Sequence, residues 1–207
     1  GDIVAFDCSN TTITLNNMKT CHGYGVYLLG GSNNSVIQNN MSGTFGNEYS
    51  ILLSSSNSVI SWNNITGCFI GIRTDGGSNN IIASNNVTSG NAEAIYIYGS
   101  YHVISSNIAA NFATGIRVPG EYCTVSFNNV TGNWYGIWLE GWLNTFYGNN
   151  FVDNRLQVLW SAGENLNFWN RSYPFGGNYW SNYTGLDNKS GSLQNILGSD
   201  GIGDTPY

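Results

Sequence analysis

The feature that most constrains this chain is an asparagine pair that returns at a nearly fixed interval. The pairs are Asn16-Asn17, Asn39-Asn40, Asn63-Asn64, Asn85-Asn86, Asn128-Asn129 and Asn149-Asn150, and Ser106-Asn107 holds the remaining place in the series. An interval of about 22 residues is one coil of a repeat solenoid. Each pair is followed by an apolar residue (Met18, Met41, Ile65, Val87, Ile108, Val130, Phe151) and preceded by residues such as Val36-Ile37, Val59-Ile60 or Ile81-Ile82. That is strand, turn, strand. A second motif keeps step with it: Gly25-Val-Tyr-Leu, Ser50-Ile-Leu-Leu, Gly71-Ile-Arg-Thr, Ala94-Ile-Tyr-Ile, Gly115-Ile-Arg-Val and Gly136-Ile-Trp-Leu. Strand alternation points Val26/Leu28, Ile72/Thr74, Ile95/Ile97, Ile116/Val118 and Ile137/Leu139 inward.

These periods predict an all-β chain: a right-handed, single-stranded parallel β-helix of about seven coils, each rising by about 4.8 Å. Residues 1–166 form the coils, and 167–207 form a capping segment of the same domain. The first Asn of each pair is expected in a left-handed turn, with side-chain amides bonded along the stack as a ladder of Asn16, Asn39, Asn63, Asn85, Asn128 and Asn149.

Composition agrees with a solenoid. Only 9% of residues are charged, 14% are aromatic, and 27 Gly stand against 3 Pro, which argues against both disorder and a helix bundle. A net charge of −6 with 6 Lys and Arg excludes an electrostatic nucleic-acid partner. No run of about 18 apolar residues exists for membrane insertion, and Gly1-Asp2-Ile3 does not read as a signal peptide. The repeat stops after Leu156-Gln-Val-Leu-Trp160, and the aromatic run from Asn167-Phe-Trp-Asn170 to Tyr183 is the expected lid over the last coil. Ile3-Val-Ala-Phe6 already matches a coil strand, so the first coil is expected to be uncapped and available for self-association.

Gly176-Gly-Asn-Tyr-Trp-Ser-Asn-Tyr-Thr-Gly185, closing with Ser199-Asp-Gly-Ile-Gly-Asp-Thr-Pro-Tyr207 behind Asn-rich coils, resembles the NosD-like family of parallel β-helix repeat proteins, of the carbohydrate-binding and sugar-hydrolase type. The resemblance implies an exported protein of the archaeal cell-surface kind, with a periplasmic copper-binding accessory protein as the alternative. It also implies a Ca²⁺ loop, which here would draw on Asp187, Asn188, Asp200 and Asp204 across an insertion. Copper is disfavoured by the residues themselves. His22 and His102 lie several coils apart, and Met18 and Met41 share an inward column. Cys8, Cys21, Cys68 and Cys123 lack CxxC spacing. Cys21 and Cys68 are two coils apart, too far for a bridge, whereas Cys8 and Cys21 share the first coil.

Asn10, Asn33, Asn40, Asn64, Asn86, Asn129, Asn170, Asn182 and Asn188 head N-x-S/T sequons, which suits a secreted glycoprotein. Asn40, Asn64 and Asn86 share one column about 4.8 Å apart, where glycans on all three would collide. The outward positions of the second motif read Tyr27, Leu52, Arg73, Tyr96, Arg117, Trp138 and Gln157, flanked by Leu29, Ser54, Asp75, Tyr98, Pro119, Glu140 and Trp160. Aromatic residues interleaved with Arg give a candidate glycan strip of Tyr27, Arg73, Tyr96, Tyr98, Arg117, Trp138, Trp142 and Trp160. Asp75 and Glu140 are three coils apart, about 14 Å, beyond the roughly 5–9.5 Å of a glycosidase pair. The expectation is therefore a non-catalytic extracellular module of a surface, sheath or adhesin-type protein whose partners are glycans or other surface proteins. A polysaccharide lyase or hydrolase is the enzymatic alternative.

Overall fold

The computed structural model describes residues 2–19, 23–43, 49–161, 166–193 and 195–200, so Cys21, His22 and Asp204 lie outside the described residues. Each coil contributes one strand to each of three parallel sheets of 8, 7 and 8 strands. The first sheet holds Ile3–Phe6, Val26–Ser32, Tyr49–Ser56, Ile70–Ser78, Glu93–Ser100, Thr114–Val118, Tyr135–Leu139 and Leu156–Trp160. The second runs from Thr12–Thr14 to Thr145–Tyr147, and the third from Asn17–Lys19 to Asn150–Val152 and on to Tyr179–Trp180. The result is a parallel β-solenoid of about seven coils.

Period-two alternation decides what is buried. Val26, Leu28, Ile72, Thr74, Ile95, Ile97, Ile116, Val118, Ile137 and Leu139 are fully buried, as their spacing requires. The coil strands of the second and third sheets are three residues long and point the middle one inward. These middle residues stack as Ile13, Val36, Ile60, Ile82, Ile104, Val125, Phe146 and as Met18, Met41, Ile65, Val87, Ala109, Val130, Phe151. Met18 and Met41 therefore fill the core.

The asparagine ladder forms at the corner between the second and third sheets, and it corrects the sequence reading in two respects. The left-handed residue is the one before the ladder Asn: Leu15, Gln38, Trp62, Ser84, Ser106 and Phe127 have φ between 56° and 58°, and Gly148 follows them. The Asn itself must be free to turn its amide along the stack. There its Oδ1 takes the N–H and Nδ2 of the preceding rung while its Nδ2 donates onward and to carbonyls. The left-handed position costs a non-Gly residue roughly 1–2 kcal/mol, which the buried amide bonds offset. In the fifth coil the rung is Asn107, not Ser106: Asn85 donates to its Oδ1 and Asn107 donates to that of Asn128. Ile108 consequently pairs with Asn86 and faces out at 40% exposure, and Ala109 takes the inward place. A slip of one residue exchanges the two faces.

A second ladder, at the corner between the first and second sheets, is built from unlike side chains. Asn34, Ser58, Asn80, His102, Cys123, Asn144 and Asn167 occupy successive coils, and Thr11, Asn34, Ser58, Asn80, Cys123 and Asn144 each send a backbone N–H to the side chain of the next rung. His102 is fully buried, and its Nδ1 accepts the Asn80 N–H at 3.1 Å. Burial lowers its pKa, although the Tyr98 carbonyl works slightly the other way. Below the ordinary histidine range near 6.5 the unfolded chain thus takes up a proton that the folded chain refuses, so stability falls as pH falls. His102→Asn restores an amide rung. It is expected to remove a stability slope of up to about 1.4 kcal/mol per pH unit, read as melting midpoints of both proteins between pH 7.5 and 5.5.

Beyond Trp160 the ladders continue: Asn167 receives the Asn144 N–H, and Asn178 receives the N–H and Nδ2 of Asn149. Trp169 stacks on Phe146 and Trp180 on Phe151, both at 4.5 Å between ring centroids, covering the last two core rings.

Candidate functional site

The outer face of the first sheet carries the candidate site. Tyr27, Leu52, Arg73 and Tyr96 stand in one paired column, continued by Arg117, Trp138 and Leu159. Gln157 is therefore not a member. It takes the place of Gly136 at the start of its strand, is buried, accepts a bond from Asn154 and donates one to Ser181. Trp160 pairs with Leu139 and packs against Trp169 at 5.4 Å, so it belongs to the end of the solenoid rather than to the strip. Trp142 lies in the corner after Gly141, where its carbonyl accepts the Tyr122 N–H, and it too leaves the strip.

The remaining residues form a continuous aromatic–guanidinium stack. Tyr24 stacks on Tyr27 at 4.7 Å and on Tyr49 at 5.8 Å. The Arg73 guanidinium lies 5.2 Å from the Tyr49 ring and 4.5 Å from that of Tyr96, and the Arg117 guanidinium 5.3 Å from Tyr96 and 4.0 Å from Trp138. Trp138 donates its Nε1–H to Ser161 Oγ at 3.0 Å. Both of the arginines that flank Tyr96 lie over its ring, so the strip is an ordered device, its rings and cations already in mutual contact.

Its charges are also paired. Arg117 grips Glu140 with Nε at 2.9 Å and Nη2 at 3.1 Å, and reaches Glu93 with Nη1 at 3.0 Å. The bonds to Glu140, then those to Glu93, outweigh burial and raise the Arg117 pKa above its already high value. Arg73 bonds Asp75 at 3.0 Å, and although burial acts to lower its pKa, that carboxylate raises it overall. Burial raises the Tyr96 phenol, opposed by the two guanidiniums. Tyr24, Tyr49 and Glu93 escape a reading of the outward column because Tyr49 and Glu93 open their coils' strands and Tyr24 lies just before its own. The signal was their recurrence beside Gly25, Ser50 and Ala94.

Tyr98 pairs with Asp75 and is 50% exposed. Pro119 and Glu140 follow the paired residues Val118 and Leu139 on the next coils. Asp75, Tyr98, Pro119 and Glu140 thus make a rim along the stack.

The other candidates fall elsewhere. Asp187 accepts from Ser199 Oγ and the Asp200 N–H, and Asp200 accepts the Gly191 N–H, so these carboxylates close a turn. The backbone carbonyl of Asn188 accepts the Gly198 N–H. Among the described residues no three His, Cys, Asp or Glu side chains gather as a metal-holding group. His102 Nδ1 accepts the Asn80 N–H, which leaves the imidazole proton on Nε2. Among the described residues Cys8, Cys68 and Cys123 form no disulfide with one another, and burial pushes the Cys68 and Cys123 thiols up to about 11. The sequon residues Asn40, Asn64 and Asn86 form an outer amide ladder from Asn17 with Nδ2 donating at 3.2, 2.8 and 2.8 Å. Asn10 and Asn33 occupy left-handed corners with φ 57° and 58°. Asn129 is half-buried, whereas Asn170, Asn182 and Asn188 are exposed beyond the last coil.

The sequence profile of the right-handed β-helix region matches residues 2–151. The chain belongs to the right-handed β-helix family. Its matched region ends at Phe151, the last inward ring of the third sheet's coil strands, and so takes in the strip from Tyr24 to Trp138. Compared with curated proteins, the chain matches none. In this right-handed β-helix, then, the site rests on the chain's own side chains.

Proposed function

We propose that the chain is a non-catalytic extracellular module of a cell-surface, sheath or adhesin-type protein, a rigid rod that contacts glycans along the outer face of its first sheet. The carrying observation is the pairing of both arginines of the strip, Arg73 and Arg117, with carboxylates. Arg117 is held between Glu140 and Glu93, and Arg73 by Asp75. A lyase base must lose its proton, whereas two carboxylates keep Arg117 charged. Fixed, ion-paired charges beside aromatic rings suit recognition by shape and hydroxyl contacts. The NosD-like resemblance of the segment after the coils supports export to the cell surface, and a periplasmic setting is the alternative.

The test is a polysaccharide panel scored for both retention and turnover. The wild-type chain is expected to be retarded in affinity gels containing a subset of the glycans and to release no reducing ends or unsaturated products from any. Product release that disappears in Arg117→Lys would replace this reading with the lyase or hydrolase one.

A further inference from the structure

We infer that the ligand of this face is a neutral polysaccharide, held on the rim Asp75–Tyr98–Pro119–Glu140; the inference rests on the glycan-contact reading above. The strip itself cannot offer its middle ring as a flat platform, because Arg73 and Arg117 both lie over Tyr96. The exposed ring is Tyr98, one coil from Asp75, with Pro119 following on the next coil. A ring and a proline present apolar surface to the C–H face of a pyranose. The side chains of Asp75 and Glu140, 45% and 26% exposed, are anchored by Arg73 and Arg117 and stand ready to accept sugar hydroxyls.

Charge selects among glycans. Asp75, Glu93 and Glu140 set three carboxylates against the two guanidiniums of Arg73 and Arg117. Arg117 spends its fork on Glu140, its Nη1 on Glu93 and its flat faces on Tyr96 and Trp138. Arg73 gives Nη2 to Asp75 and Nη1 to the Tyr49 hydroxyl, and its Nε is buried, so a uronate or sulfate group finds no free bidentate partner on the strip and meets a net negative rim. A neutral sugar meets carboxylate acceptors, the Tyr98 hydroxyl and apolar surface. Its binding should also be indifferent to salt, since no ion pair forms on association.

The experiment is affinity electrophoresis and calorimetry of the full chain against neutral glucans, mannans and galactans and against polygalacturonate, each at low and high salt, with Tyr98→Ala and Asp75→Asn alongside. Neutral polymers should bind with no salt dependence, Tyr98→Ala should weaken them by tenfold or more, Asp75→Asn should weaken them less, and polygalacturonate should not bind. Circular dichroism and melting confirm that both variants fold, as the exposed positions of Tyr98 and Asp75 lead one to expect. Equal or tighter binding of polygalacturonate overturns the ligand class and leaves the glycan reading intact. Neutral binding unchanged in folded Tyr98→Ala overturns the rim as the site. Failure of the wild type to bind any glycan overturns both the inference and the reading beneath it.

Discussion

Asn85→Ala is expected to cost about 3–5 kcal/mol of stability, while Asn86→Ala, one residue further along, costs less than about 1 kcal/mol. Asn85 is 1% exposed. Its Oδ1 accepts the N–H of Asn63 at 3.0 Å and the Nδ2 of Asn63 at 2.9 Å, and its Nδ2 donates to Ile60 O, Ala83 O and Asn107 Oδ1. Alanine removes all of these. It strands the Asn63 N–H in the interior, where an unmet group costs about 1–3 kcal/mol, takes a second bond from the Ile60 carbonyl, and leaves a void beside them. Asn86 makes the same kind of rung on the outside, its Nδ2 donating to Asn64 Oδ1 at 2.8 Å, but water replaces that bond when it is lost. Urea unfolding of the two variants separates the cases, and equal losses would show that the inner ladder carries no more than the outer one.

The coil period, the inward columns and the existence of a ladder could all be read from the chain, because alternation and an interval near 22 residues are backbone properties that side chains must obey. What could not be read has equally physical causes. The left-handed positions follow corner geometry rather than residue type, so Leu15, Gln38, Trp62 and Phe127 fill them although none is a turn former. The second ladder asks only for a side-chain acceptor at a given height. Asn80, His102 and Asn144 all satisfy it, and no repeated letter announces it. In the strip, the interleaving of aromatic rings with Arg73 and Arg117 was legible, but Glu93 was not, because its bond to Arg117 joins strand start to strand middle on the next coil. The last coil lacks the small residue (Gly, Ser or Ala) that marks register, with Gln157 in its place, and so Trp160 was displaced by one position.

Trp180→Ala should also cost about 3–5 kcal/mol, but with a different distribution along the rod. Trp180 is 9% exposed, stacks on Phe151 at 4.5 Å with 12° between the rings, and pairs with Phe151 at the edge of the third sheet. Its removal uncovers Phe151 and takes one side of the contact from Trp169, 5.7 Å away. In a solenoid each coil touches only its neighbours, so the loss is local before it is global. Native-state hydrogen exchange should therefore quicken first at the amides of Asn150–Val152 and Leu156–Trp160, with Ile51, Ile72 and Ile95 unchanged. Trp169→Phe is the companion. The buried Nε1 of Trp169 meets no acceptor among the described residues, so exchanging indole for phenyl keeps the stack on Phe146 and is expected to change stability by less than about 1 kcal/mol. Uniform acceleration along all coils in Trp180→Ala would mean that the rod opens as a single unit, and the aromatic rings after Trp160 would then be ordinary core rather than a cover for its end.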